Sequence, residues 1–419
     1  MADGLIRALE RIKPKTIEEL DDATEKFIEF LFSRGLLPSY AFPRDLCALQ
    51  IENGMKQQDG RRVVNIEQRP QQGLNIALSE YAPGRRVVVD KKTYRVGSVT
   101  ASTASTVVNR AEKLFANRKQ FLHCPACNFT AGFLEESAEG LQCPLCSSAE
   151  LVASPVIQPE VAFPEDGKPV DEFDDEQTFS TATEAQLPLP KDSASLKWSQ
   201  LMKRGAIASA ENQALIMVNK GEEGAEVGKD GFLVCDKCGK ARFPSTPQVG
   251  SHYRDYEVVW RKGERVPAVC DGSFKRVYLG YSFTSDILLF RIPLKSPLRF
   301  DARERRARQP MADALQSLCE AIVLGIGHTL DIDIREVNAG YRFVRLGEAN
   351  HADIFVYDTL SGGAGYAVQA MDCFTDVFRA AEEMLTSCTC SASCDRCLRN
   401  YGNRFIHSSL DRFLALDLV

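Results

Sequence analysis

Fourteen cysteines in a chain of 419 residues pose the first chemical question, because eleven of them fall into three groups of four, three and four whose spacing suits a metal ion better than disulfides. The first is Cys124-x2-Cys127-x15-Cys143-x2-Cys146. Each C-x-x-C turn sets two thiolates on one side of a tight bend, and two such bends close a tetrahedron around zinc at about 2.3 Å per sulfur. The second starts from Cys235-Asp236-Lys237-Cys238-Gly239, a knuckle without a matching second knuckle. Here His252 and Cys270 are the downstream ligands, giving three thiolates and one imidazole. A redox pair is the competing reading, but no thioredoxin-like βαβ pattern surrounds it. The third, Cys388-x-Cys390-x3-Cys394-x2-Cys397, packs four thiols into ten residues. Zinc is preferred there, with Arg396 and Arg399 offsetting the thiolate charge, while an iron–sulfur cluster takes the same four ligands. Sets of four with no open position are structural rather than catalytic. Cys47, Cys319 and Cys373 fit no ligand pattern and are assigned to packing.

Other chemistry is thinner. No G-x-x-x-x-G-K-[ST] phosphate cradle occurs; the nearest fragment, Gly228-Lys229-Asp230, has Glu223 in place of the first glycine and Asp230 in place of the magnesium-binding hydroxyl. Neither G-x-S-x-G, H-E-x-x-H nor a kinase signature appears. Asp333, Glu336 and Asp358 form a loose acidic set that would suit magnesium-dependent phosphodiester cleavage, although a solvated face plus a strand-end aspartate is the simpler reading. Gly362, Gly363 and Gly365 follow that aspartate and offer backbone amides to a phosphate, or simply allow tight helix–strand packing. Arg299, Arg303, Arg305, Arg306 and Arg308 make a basic run, diluted by Asp301 and Glu304, that would meet a nucleic-acid backbone or water.

These residues need elements to hold them. A capping box, Thr16-x-x-Glu19, opens a helix to Ser33, which ends at Arg34-Gly35-Leu36-Leu37-Pro38. Strands are expected at 62–66, 86–90 and 93–99, and a helix at 106–117 leads into the first cysteines. The stretch 160–184 is rich in carboxylates and reads as a linker. Beyond it come a helix at 192–204, a strand-rich run from Arg276 to Leu294 and a core helix from Met311 to Ile326 carrying Leu315, Leu318, Ile322 and Gly325 on one face. A buried strand from Ile354 to Asp358 then feeds the glycines and a helix to about Leu385.

Length calls for two or three domains. The net charge of -6 argues against coating of nucleic acid by bulk electrostatics and leaves local basic patches open. No run of about 18 apolar residues exists and Met1-Ala2-Asp3-Gly4 opens a polar segment, so a cytoplasmic location is expected.

Three passages together resemble the MrfA-type zinc-binding (MZB) domain, a helicase-associated region at the C-terminus of certain DEAD/DEAH-box helicases and in a component of the DISARM phage-defence system. They are Leu279-Gly280-Tyr281-Ser282-Phe283-Thr284-Ser285-Asp286-Ile287-Leu288, then Tyr357-Asp358-Thr359-Leu360-Ser361-Gly362-Gly363-Ala364-Gly365-Tyr366, and the tail from Cys388 to Asp411 with Cys-Asp-Arg-Cys-Leu-Arg-Asn-Tyr, Asn403, His407 and Leu410-Asp411-Arg412. Arg34 to Pro43 is similar to the stretch after the second motor domain of such helicases. The resemblance implies zinc on Cys388, Cys390, Cys394 and Cys397. It also implies a partnership with a DEAD/DEAH-type motor and contact with DNA, single-stranded by expectation, in repair or anti-phage defence. With no Walker A and no DEAD/DEAH box here, helicase activity would come only with a motor partner. The expected fold is α+β and multidomain: an N-terminal helix and small β-rich region (1–118), a four-cysteine zinc-ribbon-like insertion (119–153), an acidic linker (154–191) and a C-terminal zinc-binding α/β helicase-associated domain (192–419). Up to three zinc ions are expected. A metal-dependent nuclease, or a docking scaffold without nucleic-acid contact, are the alternatives.

Overall fold

The computed structural model describes residues 45–127, 129–134, 140–147, 149–170, 180–188, 196–201, 205–221, 230–242, 251–259, 269–294, 305–347, 349–360 and 362–418. The expected helix at 16–33 and the segment 34–43 lie outside them, as do Arg299 and Arg303.

A ten-stranded mixed sheet organises the chain. In chain order its strands are β1 (Lys119–His123), β2 (Thr130–Leu134), β3 (Val152–Ile157), β4 (Ser199–Leu201), β5 (Gly205–Asn219), β6 (Phe232–Cys235), β7 (Ala241–Arg242), β8 (Phe274–Pro293), β9 (Val337–Leu346) and β10 (Ala349–Asp358). The spine is β8, 20 residues long. On one side it pairs antiparallel with β5 from Leu279 to Arg291. On the other it meets β6 through 274–277, β3 in parallel through Tyr278 and Leu279, and β10 from Ile287 to Pro293. Its β-branched and aromatic residues alternate faces as a strand requires: Leu288, Phe290 and Ile292 enter one core, Ile287 and Leu289 the other.

Against the first face lies α1 (Arg305–Leu330). Leu315, Leu318 and Ile322 on it are fully buried, each a gain of about 1.5–3 kcal/mol. Three shorter helices complete the layer: α2 (Tyr366–Asp372), α3 (Phe374–Ser387) and α4 (Arg412–Leu416). α1 approaches α3 closely because Gly325 lacks a Cβ, which would sit 2.5 Å from the Val377 carbonyl oxygen. A second, five-stranded sheet runs in the order 71–73, 46–49, 161–164, 92–100, 86–89. A two-stranded hairpin, Ile51–Gln58 with Arg61–Gln68, pairs with neither large sheet.

The fold is mixed α+β, as expected, but several elements differ. The region expected as a linker contains β3 and the strand Val161–Pro164, because its apolar run is buried on both faces, Ala162 in one core and Val161 and Phe163 in another beside Cys235 and Cys238; the carboxylates dominate the composition only around it. Residues 192–204, expected to be helical, contain β4, which turns back onto β5 with Ser199 opposite Ile207. Only Glu112–Ala116 of the expected helix at 106–117 is helical. β-branched Thr106, Val107 and Val108 disfavour a longer one, and Arg110 is drawn into a buried ion pair with Glu52 at 3.1 Å. The helix expected to reach Leu385 breaks at Cys373, whose φ of -116° and ψ of 19° separate α2 from α3. That leaves Cys373 half-buried, whereas Cys47 and Cys319 are buried as packing residues should be.

Candidate metal centres

The first cysteine set grows out of the large sheet. β1 ends directly at Cys124, whose N–H donates to the Phe129 carbonyl (2.8 Å) and so bends the first knuckle into β2. The second knuckle is tightened by Cys143 N–H to the Ala149 carbonyl (3.0 Å) and by the Ser147 N–H back to Cys143 (3.0 Å). β3 follows and returns antiparallel to β1. All four thiols are buried, with Cys124 Sγ 3.6 Å from Cys146 Sγ and Cys127 Sγ 3.5 Å from Cys143 Sγ. Four sulfurs at about 2.3 Å from one zinc would lie about 3.8 Å apart, so the spacing fits with little adjustment. The strands framing this set share a sheet with β8 and β10, so the zinc-ribbon-like segment is built into the main fold.

The second set depends on a cross-strand pair. His252 and Cys270 sit opposite one another in a short antiparallel ladder, 252–253 with 269–270. Sequence spacing alone gave no reason to place them together beyond their residue types. Cys235 closes β6, and Gly239 takes φ +80° so that its N–H can reach the Cys235 carbonyl at 2.9 Å. Cys235 Sγ lies 3.8 Å from Cys270 Sγ and Cys238 Sγ 3.2 Å from His252 Nε2. Gly272 must lack a side chain, since a Cβ would come within 2.4 Å of Cys235 Sγ. Hydrogen bonds from Cys235 and Cys238 pull the Cys270 thiol down to about 2, while the same contacts with Cys235 and Cys270 push Cys238 up. Thiols this close cannot all ionise by themselves; a bound cation removes that conflict.

In the third set the four sulfurs are 3.5–3.8 Å apart around one loop after α3. The Cys394 N–H points at Cys397 Sγ (3.3 Å). Arg396 and Arg399 were expected to offset the charge. Instead Arg399 Nε donates to Ser393 Oγ at 2.9 Å, and the arginine bracing the loop is Arg412. From α4 it donates through Nε to the Cys390 carbonyl and through Nη1 to the Leu385 carbonyl, both at 2.9 Å. Sequence reasoning missed this role; the Asp411-Arg412 pair of the tail was visible only as part of the resemblance.

In every set the four ligand atoms lie within 4.8 Å of one another. Among the described residues these are the groups of three or more Cys, His, Asp or Glu with that geometry. The donors, all thiolate or imidazole, suit zinc, and the chain accommodates up to three ions with every position filled by protein.

Asp333, Glu336 and Asp358 are not gathered in this way. Asp333 is engaged by Arg335 at 2.6 Å on the surface. The Asp358 carboxylate is buried and accepts the N–H groups of Ala364 and Gly365 (2.6 Å each) and Ala367 (2.9 Å). Burial nonetheless holds its pKa above the ordinary aspartate value. The amides expected to cradle a phosphate are therefore already spent. Those of Gly362 and Gly363 go to the Thr284 and Leu360 carbonyls, and an internal carboxylate takes the place of an external anion at the start of α2. Arg305 and Arg306 open α1.

Residues 318–398 match the family model of the MrfA Zn-binding domain. Over 403 residues the chain is 40% identical to Druantia protein DruE of Escherichia coli (strain UMEA 4076-1), covering 95% of this chain and 22% of that protein. The chain thus spans about a fifth of the length of the curated relative it matches. Two similar solved structures are the DUF1998 helicase MrfA bound to DNA (9% identity, TM-score 0.41, 88% of this chain and 33% of that one) and MrfA without it (10% identity, TM-score 0.32, 89% and 34%). Among the described residues no helix is long and apolar enough to cross a membrane.

Proposed function

We propose that this chain is a non-catalytic, zinc-stabilised accessory module of a DEAD/DEAH-type helicase system, holding a DNA strand and docking an ATPase motor in DNA repair or anti-phage defence. The observation that carries the reading is the third metal set, Cys388, Cys390, Cys394 and Cys397, whose four sulfurs converge within residues 318–398, the segment matched by the MrfA Zn-binding domain. The closed coordination of all three sets supports a structural task, since a metal with four protein ligands has no position for substrate or water. The absence of a Walker A sequence from these 419 residues assigns nucleotide hydrolysis to another polypeptide segment. On this reading the metal sites fix loop geometry, and the surface they present does the binding.

The test is anisotropy of a labelled single strand titrated with the purified chain at increasing salt. Binding that weakens steeply with salt, together with no ATP turnover, is the expected result. No binding at low salt would leave only the docking role, and robust ATP hydrolysis by the chain would overturn the non-catalytic assignment.

A further inference from the structure

Tyr401 is 82% exposed, the most exposed of the large hydrophobic side chains among the described residues. Such a ring on a mobile tip would mean little, but this one stands on a rigid base. Asn400 and Asn403 bracket the turn reciprocally, Asn400 N–H to Asn403 Oδ1 at 2.8 Å and Asn403 N–H to Asn400 Oδ1 at 3.2 Å. Asn403 is itself buried and donates to the Leu398 carbonyl and to Glu320 Oε2 on α1, both at 2.8 Å. His407 Nε2 lies 2.9 Å from Asn403 Oδ1. The turn is thus fixed one step beyond the zinc ligand Cys397, and its one large side chain is aimed at solvent.

The surroundings identify what the ring fits. The Arg404 guanidinium lies 4.5 Å from the centre of the Tyr401 ring and donates to the Tyr401 carbonyl at 3.2 Å. Its chain neighbours Asn400 and Gly402 are not apolar. Residues 396–410 include Arg396, Arg399 and Arg404 and no Asp or Glu, and Arg396 is exposed. Asp395 and Asp411 flank that stretch and Glu320 is tied to Asn403, while the group against the ring itself is the Arg404 guanidinium. An aromatic face with a cation beside it is the chemistry that stacks an unpaired base and attracts its phosphate.

We propose that Tyr401, backed by Arg404, is a stacking platform for an unpaired nucleobase of a single strand. The proposal rests on the nucleic-acid reading above and assigns it a place. The experiment measures binding of the full chain to an oligothymidylate and to an abasic strand of the same length. Tyr401→Ala should weaken oligothymidylate binding about 5- to 100-fold, and Tyr401→Phe should leave it within about twofold, because only the ring face is used. On the abasic strand wild type and Tyr401→Ala should bind alike. Arg404→Gln provides a second variant and should weaken both strands. Zinc content and melting temperature, unchanged, confirm folding. If wild type binds the oligothymidylate and Tyr401→Ala matches it, or loses equally on both strands, the stacking platform is overturned and the nucleic-acid reading stands. If wild type binds neither strand at low salt, both fall together.

Discussion

The side-chain amide of Asn403, in the loop after the last cysteine of the third set, donates at 2.8 Å to the carboxylate of Glu320 on α1, and both residues are buried. Burial raises the Glu320 pKa, and the bond from Asn403 works against that shift. Asn403→Ala removes this partner along with the bonds that hold the Tyr401 turn. Urea titration should show a loss of about 1–3 kcal/mol, the cost of leaving a buried polar group short of a partner. Zinc should also leave the third set faster. Unchanged stability would mean that water replaces the amide.

Asp358 carries a different load. Its three amide bonds close the turn into α2, so Asp358→Ala and Asp358→Asn should each destabilise the chain by about 1–3 kcal/mol in a denaturant melt. Asparagine helps little, since its NH2 cannot accept an amide proton. Neither variant should alter any magnesium-dependent cleavage, because this carboxylate is already occupied. Loss of such an activity with stability intact would revive the nuclease reading.

A buried pair near the second metal set predicts a pH dependence. Lys240 Nζ lies 2.9 Å from Asp255 Oδ1, with side-chain exposures of 14% and 0%. Burial pushes Asp255 up to about 6 although Lys240 pulls it down. Burial also lowers Lys240, but Asp255 and Asp166 more than reverse that. Lys240→Met strands the carboxylate and should cost about 3–5 kcal/mol where Asp255 is ionised. A raised folded pKa means that the native state holds the proton more tightly than the unfolded chain. Because Lys240 pulls Asp255 down to about 6, the carboxyl titrates above that value in the variant, so the penalty should be largest in alkaline solution and shrink as pH falls toward about 6, below which both folded forms are protonated. Melts across that range, with zinc content measured alongside, check the slope; a flat or inverted slope removes the assignment.

Metal removal should follow burial. Cys388, Cys390 and Cys394 are half-buried, whereas the thiols of the first set are all buried. A colorimetric chelator should take zinc from the third set before the first. Cys388→Ser, Cys270→Ser and Cys127→Ser should each lower bound zinc by one ion per chain, and simultaneous loss of all ions in any one variant would show that the sets are not independent.

The cysteine spacings by themselves grouped the first and third sets and the Cys235–Cys238 knuckle, since a knuckle is a local object and its turn is written in four or five residues; His252 and Cys270 were joined to the second set by residue type alone. The core helix at 311–326 was legible for the same reason: its periodicity lies within one segment. The hydrophobic run of β8 was also visible, as Val277, Leu279, Tyr281 and Phe283 alternating ahead of the apolar stretch Ile287 to Ile292. What the sequence could not give was pairing across distance. That His252 faces Cys270 is a matter of register between two short strands, and that β3 runs beside β8 is a parallel contact spanning more than a hundred residues. The acidic carboxylates of 160–184 hid a buried strand because composition averages over the apolar triplet that decides burial. The occupancy of the Ala364, Gly365 and Ala367 amides by Asp358, the brace from Arg412 and the rigid seat under Tyr401 exist only once α1, α3 and α4 are packed. Each is a hydrogen bond between groups whose separation is set by the fold, and local propensity contains no information about that separation.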